Sequence, residues 1–534
     1  MSFHESEETL TSSKLQPHEP TSPVKVVPSH NEILSKTDEH PLNMQFKEII
    51  IVLLISSGQF ISLLGAVQGI PQMASIASTF SLRPDQNLEL GWCNAAYATT
   101  ATTFVIIAGK LGDINGHKNM FIFGYAWLTL WSLLTGFSKY AKANAVFFYF
   151  CRGAQGIGSA FLTPTGLALL GKHYPPCKRK NYVFSFYGAC GPFGIVAGSV
   201  FSALFTQLTT WAWTYWSMAV TCLIITILSY IFIPKDNTPK RERSAFYSFD
   251  YVGGFCGITG MILFSVVWNQ APLSHFKAPY VYSLLIVSVV FMTMALIIDS
   301  RVKDPLIPWK SMCSNVIKAL IVVFFGFLGF TIWLFYSWRF YLVAKNDSLL
   351  LAAAKFIPLG ISGIFAACFS VLLLNKKVPV QLRLLTAVCA FLICAILIST
   401  MTLQETYWGN AFVATVIIAI GLDVAFPSAT LLLSNGVLNE QQGLAAALAA
   451  TALNYGTALG PGVATLIITY QCDDCLARSD GRFVHAVHIA GYVAIGTAGI
   501  AVVVAIFGSI TEYYKERMDD LREKKRPISS EQTV

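Results

Sequence analysis

Long, nearly unbroken apolar runs set the pattern of this chain. Neither the two-residue alternation of a half-buried strand nor the narrow stripe of a surface helix organises them. Each run is close to the ~20 residues that a helix needs to cross a hydrocarbon core. Scanning on that length predicts about fourteen helices. Six lie near 48–68, 90–109, 120–138, 145–170, 183–205 and 212–233, and two near 251–270 and 279–298. Six more lie near 316–340, 350–374, 382–403, 409–432, 443–470 and 487–508. Short polar stretches separate them, and polar tails flank the whole. The expected fold class is an all-α polytopic membrane protein with about fourteen transmembrane helices in a 6 + 2 + 6 order. The expected organisation is a disordered tail over 1–46, a six-helix bundle over 47–234, a linker over 235–249 and a central pair over 250–300. A second six-helix bundle over 301–510 and a tail over 511–534 complete it.

Composition agrees. Of 534 residues, 54% are hydrophobic and 12% charged, with mean hydropathy +0.57. Soluble domains carry about a quarter charged residues, so a soluble enzyme is excluded, as is a disordered or fibrous chain. The net charge of +8 does not indicate a nucleic-acid partner, because basic residues gather on cytosolic loops of membrane proteins. With the amino end inside, the inner connections hold Lys110, Lys118, Lys172, Lys178, Arg179, Lys180, Lys235, Lys240, Arg241, Arg243, Arg301, Lys303, Lys310, Lys376, Lys377 and Arg383. The outer ones hold far fewer cations, so both termini are expected in the cytosol. The amino tail lacks the basic and apolar regions of a signal peptide. Most of the 12 Cys are scattered singly inside apolar runs and read as packing residues. Cys472 and Cys475 form a CxxC without the second pair that zinc would need, and read as loop cysteines or a local disulfide. No metal or cofactor is expected. Asn346-Asp347-Ser348 fits the glycosylation pattern, but lies in so short an outer connection that it is expected to stay unmodified.

Gly109-Lys110-Leu111-Gly112-Asp113-Ile114-Asn115-Gly116-His117-Lys118 stands between the second and third helices. It resembles the signature loop GxLaDrxGrk of the major facilitator superfamily. Its glycines permit a tight turn and close helix approach, and Asp113 is placed to meet a neighbouring helix end or a basic residue. Gly109, Asp113, Gly116 and Lys118 are therefore expected to gate the inner side. Arg152-Gly153-Ala154-Gln155-Gly156 in the fourth helix is similar to that superfamily's second motif, which implies a role for Arg152 in proton transfer. An Arg in hydrocarbon must face a polar cavity or partners. A Gly-Pro kink occurs at Gly191-Pro192 in the fifth helix and again at Gly460-Pro461 in the thirteenth, as expected of an internal repeat. With Phe249-Asp250-Tyr251-Val252-Gly253, Asn269-Gln270-Ala271-Pro272, Gly421-Leu422-Asp423-Val424-Ala425-Phe426-Pro427 and Asn454-Tyr455, the likeness runs from about 50 to 510. It points to the fungal fourteen-helix drug:proton antiporters, in the branch of aminotriazole-resistance proteins and low-affinity ammonium facilitators.

The resemblance implies alternating-access transport of a small molecule coupled to protons, with the lipid bilayer as surroundings and a monomer as the working unit. Export of small organic or toxic compounds is the leading expectation; an ammonium or other small-solute facilitator, or a transporter-like sensor, is the alternative. The plasma membrane is the expected location, with the vacuolar or endoplasmic reticulum membrane as alternatives. No phosphate-binding loop occurs to use ATP, and no paired catalytic groups at helical spacing suggest an enzyme. Polar residues inside spans are the pathway candidates: Gln59, Gln68, Asn94, Tyr97, Gln155, Asn269, Gln270 and Asn454, each equally readable as an interhelical hydrogen bond worth ~1 kcal/mol. Arg339 and Lys355 sit near outer ends, where two cations would repel ammonium or simply snorkel to headgroups. Asp423, near the middle of the twelfth helix, is costly when ionised and is the second candidate for proton coupling, unless it serves only to satisfy a neighbouring helix.

Overall fold

The computed structural model describes residues 46–82, 90–141, 145–175, 177–234, 250–271, 277–302, 314–435, 442–471 and 481–524. The amino tail to residue 45, the 235–249 linker and the Cys472/Cys475 pair lie outside them. The described secondary structure is helical: α1 Phe46–Val67, α2 Met73–Thr79, α3 Trp92–Thr103, α4 Val105–Asn115, α5 His117–Phe137, α6 Ala145–His173, α7 Lys178–Leu208 and α8 Ala212–Phe232. Then come α9 Tyr251–Gln270, α10 Pro279–Arg301, α11 Ser314–Arg339, α12 Leu349–Ala354, α13 Ile357–Asn375, α14 Val380–Ser399, α15 Asn410–Asn435, α16 Gln442–Gln471 and α17 Gly481–Lys524. Each expected apolar run is helical over most of its length. Eleven of the described helical stretches are long and apolar enough to cross a membrane, with mean hydropathies from 1.4 to 2.6.

The second span differs from expectation. It is interrupted at Phe104 and continues as α4 through the glycine-rich motif to Asn115. Thr102 and Thr103 turn their hydroxyls back onto the carbonyls of Ala98 and Thr99, at 2.7 Å each, which competes with regular helix and bends it. Asp113 therefore stands on the last turn of a helix rather than in a loop. The turn itself is Gly116, whose φ of 90° only glycine adopts without strain.

The same neighbour pattern occurs twice. Among the first six spans, α1 packs on α7, α3 on α6, α5 on α6 and α5 on α8. Among the last six, α11 packs on α16, α13 on α15, α14 on α15 and α14 on α17. Interior prolines recur in register, Pro164 and Pro192 in the fourth and fifth spans of one half, Pro427 and Pro461 in those of the other. The halves meet along two seams, α7 against α13 and α15, and α16 against α3, α4 and α6. Between the seams' partners runs the central pair, α9 packed on α10, with α9 touching both α3 and α16.

Burial is the reverse of a soluble protein's. Arg152, Gln155, Gln68, His117 and Asp423 are 0% exposed, while Phe365, Phe150, Ile231 and Val503 are more than 60% exposed. Only 11% of the most apolar stretch of α10 is buried. Such a surface is stable where lipid rather than water is the solvent.

Candidate functional site

Between the halves lies a small cavity with about 20 Å³ open to the centre of a water molecule, enough for one. Gln59, Ser62, Tyr97, Ser159, Asn454 and Thr457 supply its polar wall, and Phe426, Leu63 and Leu453 part of its apolar wall. Among the described residues no charged side chain lines it. Tyr97 is fixed by donating its hydroxyl to the carbonyl of Ser62, at 2.9 Å.

Arg152 stands one layer behind this wall, inside the amino-terminal half. Its guanidinium donates to the carbonyls of Cys93 (2.8 Å) and Gly65 (2.8 Å) and to Oε1 of Gln155 (2.7 Å). Its charge lies 4.8 Å from the ring centre of Tyr97 and 5.5 Å from that of Tyr215. Gln155 passes the chain on to Ser132 at 2.8 Å. Arg152 is thus held by carbonyls and ring faces, which a planar, five-donor group can satisfy together. It meets the cavity wall at Tyr97.

Asp423 belongs to the other half and stands behind Phe426 rather than in the cavity wall. It lies on α15, one turn before Phe426, and is fully buried with neither carboxylate oxygen hydrogen-bonded among the described residues. A methyl group on Gly363 of α13 would lie 3.4 Å from Asp423 Oδ2 and 3.6 Å from Cβ of Pro192 on α7, so the carboxylate sits where the two halves meet. Burying a carboxylate ion without a partner costs several kcal/mol, of order ~3–5 when one partner of a pair is removed.

At the end that carries Asp113, the halves are joined by polar contacts. Asp113 Oδ2 accepts the main-chain N–H of Leu444, 3.1 Å away in the first turn of α16, and Oδ1 lies 3.2 Å from Nε2 of His117. A carboxylate at the end of its own helix is badly placed, and the free N–H groups at the start of α16 compensate it. Lys180 donates to Ser434 at 3.2 Å and Asn181 to Asn375 at 3.1 Å across the other seam. Lys118 donates to the carbonyls of Tyr230 and Ile233 and so caps the end of α8 within its own half. Gly109 is buried inside α4.

Residues 55–461 match the model of the Major Facilitator Superfamily. The chain belongs to that superfamily. It is 37% identical to the low affinity ammonium transporter of Saccharomyces cerevisiae, over 90% of this chain and 92% of that one. It is 34% identical to the efflux pump terJ of Aspergillus terreus, over 88% of this chain and 89% of that one. Its fold is similar to that of the human organic anion transporter MFSD10 (TETRAN), with a TM-score of 0.60 and 12% identity over 86% of this chain and 100% of that one.

Within this superfamily fold, three of the amide and tyrosine candidates, Gln59, Tyr97 and Asn454, come together on the cavity. The others do not. Gln155 serves Arg152, Asn269 bonds its own helix at the carbonyl of Ser265 (2.8 Å), and Gln68 and Asn94 are buried beside α1 and α3 without lining it. Gln270 ends α9. Arg339 and Lys355 stand at the far end. Lys355 is paired with Asp347, which cancels its charge locally, whereas Arg339 Nε and Nη2 have no hydrogen-bond partner among the described residues. Sequence reasoning missed Ser62, Ser159, Thr163 and Thr457, because small hydroxyls are common in membrane helices and carry no positional signal.

Proposed function

We propose that this chain is a proton-coupled secondary transporter that exports small organic compounds by alternating access, and that it belongs to the fourteen-helix drug:proton branch. Both termini face the cytosol and the Asp113 end is the inner gate, in keeping with the basic residues gathered there. The plasma membrane is its site and the monomer its working unit. The observation that carries the reading is Asp423, a buried carboxylate on the seam with no hydrogen-bond partner among the described residues, one turn from Phe426 in the wall of a neutral, mixed-polarity cavity. A proton must come and go there as the seam opens, since the ion is untenable in the closed arrangement. Arg152 holds the opposite wall through Tyr97, so movement of α3 and movement of charge are linked.

A second reading, ammonium transport, draws support from the size of the cavity and from the ammonium transporter among the relatives. The test is flux in proteoliposomes. Asp423→Asn is expected to lose accumulation driven by a pH gradient yet keep substrate exchange at equal pH. Unchanged gradient-driven accumulation overturns the coupling assignment. Gradient-driven uptake of radiolabelled methylammonium, with no movement of organic efflux substrates, would replace the export reading by the second.

A further inference from the structure

The end opposite Asp113 holds a larger cavity, about 300 Å³, within the carboxyl-terminal half. Tyr341, Lys345, Lys355, Gln404 and Tyr407 are in its wall. The ammonium group of Lys355 lies 4.7 Å from the ring centre of Tyr341 and 5.7 Å from that of Tyr407, and the carboxylate of Asp347 closes its remaining side. Two ring faces and a carboxylate around one ammonium are the means by which proteins hold alkylammonium ligands.

The cage is built independently of the head group it contains. The hydroxyl of Tyr407 donates to the main-chain carbonyl of Lys355 at 2.6 Å, and burial lifts this phenol to about 12, so it remains a neutral donor. The main-chain N–H of Asp347 donates to the carbonyl of Tyr341 at 3.0 Å. Tyr341 also packs edge-on against Phe356, with ring centres 5.8 Å apart. The receptor is fixed, whereas its occupant rides on a flexible four-carbon stem beside open volume. The other nearby cation is committed elsewhere, since Lys345 donates to the carbonyls of Leu403 and Glu405.

We propose that Tyr341, Tyr407 and Asp347 form a recognition site for small organic ammonium ions, filled by Lys355 as a tethered occupant until such an ion displaces it. Binding here is an equilibrium property of the outer end and does not depend on which solute crosses the membrane, so its failure leaves the transport reading untouched. The probe is tetramethylammonium, which has no N–H to react with acylating reagents. In the full-length wild-type protein in detergent, saturating tetramethylammonium should speed acetylation of Lys355 several-fold over sodium chloride of equal concentration, and leave Lys345 unchanged. Lys355→Gln, which keeps the stem and removes the charge, should bind tetramethylammonium at least about tenfold more tightly by calorimetry, because the tethered competitor is gone. Adding Asp347→Asn should abolish that gain. Unchanged acetylation of Lys355 in the wild-type protein overturns the proposal, as does wild-type affinity in a folded Lys355→Gln variant.

Discussion

Gly188 of α7 faces Pro427 of α15 across the seam, and a methyl group there would lie 2.6 Å from Cγ and 3.4 Å from Cδ of the proline ring. Carbon atoms rest ~3.5–4.0 Å apart, so Gly188→Ala must part the halves locally by about 1 Å or distort a rigid ring. Overpacking of this kind costs ~1–3 kcal/mol. Alanine also gains ~1 kcal/mol of helix propensity over glycine, but that gain is the same whether the seam is closed or open and cancels between them. The closed seam should therefore lose ~1–3 kcal/mol relative to the open one, a factor of about 5–150 in population. Hydrogen exchange of the full-length protein reads this directly. The Leu444 amide and the start of α7 should exchange faster by a similar factor. Gly496→Ala is the control: a methyl group there meets nothing within 4 Å, so the propensity gain comes without the clash. Equal exchange in the two variants, both matching wild type, would refute the contact as a determinant of the closed state.

Three further outcomes are expected. Asp113→Asn keeps an acceptor for the Leu444 amide but removes the charge facing the start of α16, worth ~0.3–1 kcal/mol; transport should slow while the melting temperature stays near wild type, and wild-type rates would sink the gate assignment. Arg152→Ala should abolish transport and Arg152→Lys retain little, because two of the three acceptors lose their donor at ~1–3 kcal/mol each; full activity of the Lys variant would mean that charge alone suffices. Glu48 accepts from Arg179 at 2.7 Å and from Tyr174 at 2.6 Å within one half, so Glu48→Gln should lower the melting temperature without altering exchange at Leu444; a shift in that exchange would show that the cluster also serves the seam.

The spans were legible in the sequence because a ~30 Å hydrocarbon core imposes one length on every helix, whatever its packing. The repeat was legible at Pro192 and Pro461, since a proline marks a helix regardless of context. What could not be read was pairing across long separations. Asp113 is satisfied by a main-chain amide 331 residues away, and Arg152 by carbonyls at positions 65 and 93; every residue has an amide and a carbonyl, so neither partner leaves a mark in the sequence. Asp347 and Lys355 are only eight residues apart, but it is the short α12, begun at Ser348 and ended at Lys355, that brings them together, which no helical or strand period anticipates. The bonds of Lys118 to the last carbonyls of α8 were hidden for the same reason, since its spacing within the motif says nothing of main-chain partners more than a hundred residues on.

Helix α9 is moored on both banks. The hydroxyls of Ser265 and Thr99 are 2.6 Å apart on the side of the first half, and on the other the indole of Trp268 donates to the carbonyl of Leu459 at 3.2 Å while its ring fills the notch left by Gly462. On the alternating-access reading proposed above, one mooring must slip or both must stretch when the halves swing. Each bond is worth only ~1 kcal/mol, little enough to yield on every stroke and enough to damp it. On that same reading, α9 is then a spring tied to both halves, which limits how far they part.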